Sequence, residues 1–308
     1  MNSIKKILAV IDPSKEQQKG LLRSFELAKK SGASITAFLS IYDFSYEMTT
    51  MLSHDERDAM REAVIQSKRQ WIESLIAPYQ SELTINCEVI WHNRPFEAII
   101  THVIDQKYDL VVKGTHQHDT LKSVIFTPTD WHLIRKCPTP VLLVKEHAWP
   151  ENGHVLAAVH ASCEDQQHQS LNHRIIKDAQ FVAQLATADV HLVNSYPGTP
   201  VNIAIEIPEF NASEFNESVK AHHKTCTESI AAQYGISPAL CHVKEGLPED
   251  VIPMIANKID AELVVIGTVG RTGFSAALIG NTAEHVIDSL NCDVLALKPE
   301  GYVSPLQD

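Results

Sequence analysis

The clearest chemistry in this chain lies in three glycines, Gly267, Gly270 and Gly280, spaced Gly-x2-Gly-x9-Gly after the apolar run Leu263-Val264-Val265-Ile266. A strand that ends in closely spaced glycines lets backbone N–H groups approach an anion with no Cβ in the way. A helix that starts just beyond adds the positive end of its dipole. Asn281 and Thr282 stand where that helix should begin, placed to cap it or to contact a phosphate. Arg271 is the nearest fixed positive charge, and Thr268 directly follows the first glycine. The expectation is a phosphate seat between Gly267 and Thr282, against the plainer reading of Gly267 and Gly273 as turn glycines.

Other groups of reactive residue types carry less. His116, His118 and Asp119 are metal-ligand types, but no further ligand is evident in the sequence, so a solvated loop is the favoured reading. The pair His222-His223 is read the same way. Ile203, Ile205, Ile207, Phe210 and Phe215 are read as core in preference to cavity lining. No nucleophile, base and orienting group stand together, which points to a binding module and leaves slow ATP hydrolysis as the enzymatic alternative. Neither His-x-Gly-His nor Ser-Gly-Gly-x-Asp-Ser occurs, which argues against adenylating chemistry.

The elements that must position the glycines come in two copies. Tyr108-Asp109-Leu110-Val111-Val112-Lys113-Gly114-Thr115 is echoed by Ala261-Glu262-Leu263-Val264-Val265-Ile266-Gly267-Thr268, a shift of 153 from Gly114 to Gly267. The opening runs, Ile7-Leu8-Ala9-Val10-Ile11 and Val155-Leu156-Ala157-Ala158-Val159, repeat at a shift of 148 from Ile7 to Val155. Short apolar runs alternate with stretches of helical period in each half, as in parallel sheets covered by helices on both faces. The spacing predicts strands at 7–11, 34–41, 85–91, 110–113 and 141–144, then at 155–159, 189–195, 240–244, 263–266 and 294–297. Helices are expected near 171–186, 213–234, 249–258 and 281–289, and Gly32 should stop a helix in the left-handed conformation. The reading is α/β: two tandem five-stranded parallel-sheet domains, 1–150 and 151–308.

Composition bounds the partners. The 308 residues suffice for two cores, and a net charge of −12 opposes general binding to nucleic acid or anionic lipid. Cys87, Cys137, Cys163, Cys226, Cys241 and Cys292 show neither zinc nor disulfide spacing and read as reduced thiols. The opening apolar run halts at Asp12, too short for a signal peptide or a membrane span, so a cytoplasmic location is expected.

Strand order, the Val-Val-Ile-Gly-Thr approach to the loop, the spaced glycines and the closing Cys292-Asp-Val-Leu-Ala-Leu-Lys-Pro299 strand together resemble the universal stress protein family. The tandem two-domain members are the nearest match. The resemblance implies an adenine-nucleotide α-hydrolase-like, Rossmann-like fold, a stress-response role, and ATP or a related nucleotide bound in the second domain. It implies that Gly267, Gly270 and Gly280 serve as the phosphate loop, with Asn281 where Ser or Thr is usual and Thr282 one place later. His160, with Ser162 close behind, stands where ATP-binding members carry an aspartate, and Ser195 ends the next strand. The first domain keeps that aspartate as Asp12 but has Gln117 and Thr127 in place of two loop glycines, so its phosphate loop is degenerate. The missing aspartate opens the alternative of a phosphorylated or nucleotide-linked amphiphile as ligand. The family also implies that the two domains form an intrachain pseudo-dimer, with homodimerisation of the chain as a further expectation.

Overall fold

The computed structural model describes residues 3–46, 53–117, 124–145, 148–161, 166–198, 211–268 and 281–307. They fall into two compact units, one of Ser3–Lys145 with Val303–Asp308 and one of Glu146–Tyr302.

In the first unit β1 (Lys6–Val10), α1 (Lys19–Ser31), β2 (Ser34–Ile41), α2 (His54–Ile76), β3 (Ile85–Trp91), α3 (Pro95–Gln106) and β4 (Leu110–Gly114) alternate without exception. After β4 a short antiparallel ribbon, β5 (His116–Gln117) with β6 (Val124–Ile125), precedes α4 (Pro128–Lys136) and β7 (Val141–Val144). The five long strands pair in parallel in the order β7-β4-β1-β2-β3. β1, β4 and β7 are almost wholly buried, as strands covered by helices on both faces must be.

The second unit repeats the scheme. It runs β8 (His154–Ala158), α5 (Gln166–Ala186), β9 (Asp189–Tyr196), α6 (Ala212–Gln233), β10 (Cys241–Glu245), α7 (Pro248–Lys258), β11 (Leu263–Gly267), α8 (Asn281–Ser289) and β12 (Asp293–Leu297). Its strands are parallel in the order β12-β11-β8-β9-β10. The chain therefore moves outward one way from β8 through β9 and β10, then crosses to β11 on the other side. That reversal between β8 and β11 opens a crevice at their carboxyl ends, the place where ligands bind open α/β sheets. β1 and β4 frame the matching place in the first unit.

The strands and helices foreseen from the sequence are all present. The β5–β6 ribbon is not foreshadowed, because two-residue strands leave no periodic signal.

Helix ends follow the expected chemistry. Gly32 closes α1 at φ 74°, its N–H donating to the Ala28 carbonyl. Thr187 closes α5 at φ 55°. A β-branched residue is strained there, because its Cβ crowds the backbone in the left-handed region.

A row of three imidazoles crosses the second sheet toward the amino ends of its strands. His191 places one ring nitrogen 2.9 Å from His242 Nε2 and the other 3.2 Å from His154 Nδ1. Burial, then the proximity of His154 and His242, holds the His191 ring down at about 4.

Thr187→Gly relieves the αL strain and should raise stability by about 1 kcal/mol, read as a higher thermal midpoint. A lower midpoint would show that the threonine side chain makes compensating contacts. For His191, unfolding restores the ordinary value near 6.5, so the unfolded chain binds the extra proton first as pH falls. Its stabilisation is complete above about pH 6.5 and is lost as pH drops toward 4. Denaturant titrations across that window should show His191→Leu removing up to about 1.4 kcal/mol per pH unit of slope. An unchanged slope would count against His191 as the titrating group.

Candidate functional site

Where β8 ends, Val159 still donates to the Val193 carbonyl, but His160 has passed the sheet edge. Asn172 of α5 takes over: its Oδ1 accepts the His160 N–H at 3.0 Å and its Nδ2 donates to the His160 carbonyl at 2.9 Å. One turn of backbone is thereby held at both of its polar groups by a single side chain that is itself buried. The first unit has the same device. Gln18 Oε1 accepts the Asp12 N–H at 2.9 Å, and Gln18 Nε2 donates to the Asp12 carbonyl at 2.7 Å. Asp12 and His160 are thus equivalent in three dimensions as well as in the repeat. The chemistry they offer differs, since Asp12 uses its carboxylate to accept the Ser14 N–H and hydroxyl, whereas His160 offers an imidazole.

The next amide, Ala161 N–H, donates to Asn194 Oδ1 at 3.3 Å. Asn194 Nδ2 lies 2.9 Å from Nδ1 of His223 on α6, and the His223 ring stacks on Tyr196 with centroids 5.1 Å apart. Burial, reinforced by His222 and His160, lowers the His223 ring below its ordinary value. Sequence reasoning missed this group. Ser195 was singled out, but side chains alternate across a strand, so Ser195 lies on the opposite face of β9 from Asn194 and Tyr196. The solvated-loop reading of His222-His223 fits only half the pair: His222 is exposed, while His223 is buried on a helix, 8% accessible. The available signal was Asn194 itself, a polar residue inside the apolar run of β9.

On the other side of the crevice β11 ends at Gly267. A Cβ there would lie 2.5 Å from Leu171 Cδ2, so a larger residue would have to displace the Leu171 side chain where α5 packs against the strand end. Thr268 is buried, and both its N–H and its hydroxyl donate to the Leu297 carbonyl, at 2.9 and 3.1 Å. Thr115 does the same to Val144, at 2.9 and 3.0 Å. These threonines fasten the sheet edge from which each loop departs. The buried Lys298 ammonium donates to the Thr268 carbonyl at 3.1 Å and lies over the Tyr302 ring. Beyond the loop, α8 begins at Asn281 as expected, with Thr282 in its first turn and half-buried. Ser162, Gly270, Arg271, Gly273 and Gly280 lie outside the described residues, as do His118, Asp119, Cys163, Ile203, Ile205, Ile207 and Phe210, whereas Phe215, expected in the core, is exposed on the first turn of α6. Among the described residues no cluster of three His, Cys, Asp or Glu side chains could hold a metal ion, and Cys87, Cys137, Cys226, Cys241 and Cys292 form no disulfide.

The corresponding helix start in the first unit is filled from within. Thr127 caps α4, and the Asp130 carboxylate reaches back to accept the Thr127 N–H at 2.6 Å and its hydroxyl at 2.8 Å. The other carboxylate oxygen pairs with Lys113 Nζ at 2.6 Å, with the Asp130 side chain fully buried. A protein carboxylate therefore sits where the end of a helix would attract an external anion. At the shift of 153 that relates Gly114 to Gly267, Lys113, Thr127 and Asp130 correspond to Ile266, Gly280 and Ala283. None of those three can reproduce the plug.

The comparisons agree with this duplicated architecture. The profile of the Universal stress protein family matches residues 3–145 and 165–298, one match in each unit, and the chain belongs to that family. It is 50% identical to universal stress protein E of Escherichia coli K12 over 303 residues, covering 98% of this chain and 96% of the relative. It is 42% identical to the universal stress protein E homolog of Haemophilus influenzae, covering 96% and 97%. Among solved structures, a putative universal stress protein from Pseudomonas aeruginosa UCBPP-PA14 superposes with a TM-score of 0.75 at 30% identity, over 99% of this chain and 97% of that one.

The plug makes a direct prediction. Asp130→Ala leaves Lys113 buried without its counter-charge and removes the Asp130 half of the capping box, which should destabilise the chain by about 3–5 kcal/mol in denaturant unfolding. Lys113→Met with Asp130→Asn should recover much of that loss. A single-variant cost under about 1 kcal/mol would mean that the pair is solvated and fills nothing.

Proposed function

We propose that the chain is a nucleotide-binding module, and that its second unit holds the phosphates of ATP or a related nucleotide in the crevice between the carboxyl ends of β8 and β11. The phosphates are taken by the backbone of the loop carrying Gly270, Arg271 and Gly280 and by the start of α8 at Asn281 and Thr282, while Gly267 and Thr268 root that loop in the sheet. His160, Ser162 and Ser195 line the side toward β8 and β9. The observation that carries this reading is the contrast between the units. The first places its own Asp130 carboxylate at its helix start, paired to Lys113, and the second has Ala283 and Ile266 at those positions. An anion seat satisfied by the chain itself has no use for a ligand, and one without that carboxylate does.

Binding without dedicated catalysis is the role proposed, with the nucleotide acting as a signal in a stress response. A cytoplasmic location and a homodimer belong to the same proposal; sedimentation tests the latter. No helix among the described residues is long and apolar enough to cross a membrane.

Titration calorimetry on the full chain tests the ligand. ATP, ADP or AMP should bind once per chain, Gly270→Val should abolish binding, and Gly114→Ala in the first unit should leave it unchanged. Absence of heat with all three nucleotides, or binding indifferent to Gly270→Val, would remove the proposal.

A further inference from the structure

We propose that His223 is a proton-operated latch on the backbone that follows β8, with Asn194 as the positioning residue through which it acts, so that anion binding in the second unit's crevice responds to pH. The link to anion binding rests on the function proposed above; the latch itself stands on hydrogen-bond geometry.

Ala161 N–H donates to the Asn194 side chain at 3.3 Å, and only the carbonyl end of that amide accepts, so Oδ1 faces Ala161. The NH2 end then faces His223 Nδ1 at 2.9 Å. An amide NH2 only donates, so Nδ1 must accept, which fixes His223 as the neutral ring with its proton on Nε2. Asn194 is 1% accessible, so it has no water to turn to in place of these partners. The backbone beneath the ring is fixed as well, since the Thr227 hydroxyl donates to the His223 carbonyl at 2.7 Å.

A second proton on His223 turns Nδ1 into a donor and sets two donors against each other. The conflict is relieved when the Asn194 amide rotates by half a turn and presents Oδ1 to the imidazolium. Its NH2 then confronts Ala161 N–H, again donor against donor, and that amide is released at the crevice. Protonation thus adds a free N–H and a positive charge on the same side of the sheet.

The surroundings favour the neutral ring at neutral pH. His160 faces His223 from the end of β8, Asn194 and Tyr196 face it from β9, and His222 lies edge-on from its own helix, 5.9 Å between centroids. Glu245 at the end of β10 and Glu217 of α6 lie near Tyr196, and Cys241 of β10 lies near Glu228 of α6. Burial is the largest influence and lowers the ring from 6.5, so the latch is closed above that pH and opens as pH falls below it.

Sulfate is the probe, since it keeps its double charge throughout the range used. Nitrogen and amide-proton resonances of the full chain, followed from pH 8 to 5, should show His223 as the Nε2–H tautomer at pH 8 and Ala161 N–H moving with the same midpoint as the ring. A static Ala161 amide while His223 titrates, or an Nδ1–H tautomer at pH 8, overturns the latch. In Asn194→Asp the carboxylate can accept from Ala161 and from protonated His223 together. The His223 midpoint should therefore rise while the Ala161 amide stays held; an unmoved midpoint overturns the proposal even where His223 variants fail to fold. Sulfate affinity should increase several-fold from pH 7.5 to a pH below the His223 midpoint read from the ring resonances, and His223→Gln, whose carbonyl accepts without titrating, should abolish that increase. Binding with equal affinity at both pH values overturns the coupling. If sulfate fails to bind at any pH while Ala161 and His223 titrate together, the latch stands and the anion seat proposed above is the part that fails.

Discussion

Each of these sheets must let its first strand go at the point where the strand order reverses, and the residue just past the edge has a backbone N–H and C=O with no ladder partner. Buried backbone groups in that state cost about as much as a lost hydrogen bond each. One side-chain amide meets both needs in each unit, Gln18 for Asp12 and Asn172 for His160. The rest of the crevice is built from there. With residue 160 fixed, residue 161 comes within reach of Asn194, and the α5 helix that supplies Asn172 also supplies Leu171, which packs where a Cβ on Gly267 would stand. The two walls of the crevice are therefore set by neighbouring residues of one helix.

The units part company in how they satisfy the start of the helix after the fourth long strand. In the first, Asp130 and Lys113 form a buried ion pair joined to a capping box, and the field at the start of α4 is met by the protein's own charge. Buried pairs of this kind add little net stability, because desolvation offsets most of the attraction. What the pair does is place the protein's own carboxylate at the helix start. The second unit lacks both charges at those positions, and the buried cation near its strand end, Lys298, is held by the Thr268 carbonyl and the Tyr302 ring instead. Duplication preserved the sheet and let the electrostatics of the two helix starts diverge.

The sequence was most informative where one physical signal was enough. Short apolar runs between helical stretches marked every long strand to within a residue at either end, because strands buried on both faces cannot hide polar residues cheaply. Gly32 announced its left-handed cap, and Asn281 the start of α8. Signals failed where the answer depended on partners far apart in the chain. Asn194 and Ser195 are adjacent and equally polar, and only the phase of β9 shows which of them faces α6. His223 looked like half of a solvated pair until α6 turned it onto Tyr196. Lys113 and Asp130 stand in different elements with no pattern joining them, so their pairing is invisible in the sequence. The packing of Leu171 against Gly267 cannot be inferred from glycine spacing alone.

The amide clasp also explains how Asp12 and His160 can differ so much without disturbing the fold. Gln18 and Asn172 grip backbone atoms only, so the side chain at the clasped position carries none of the load of shaping the turn. Had that side chain closed the turn itself, as Asp12 partly does by accepting from Ser14, an imidazole in its place would have left the strand exit unsatisfied. Because the clasp comes from the following helix, a carboxylate and an imidazole can occupy the same place in two otherwise matching units. One crevice edge then presents a carboxylate acceptor, and the other an imidazole. The side chain at the clasped position is thus separated from the means of holding the strand, so it can differ between the two copies while both stay folded.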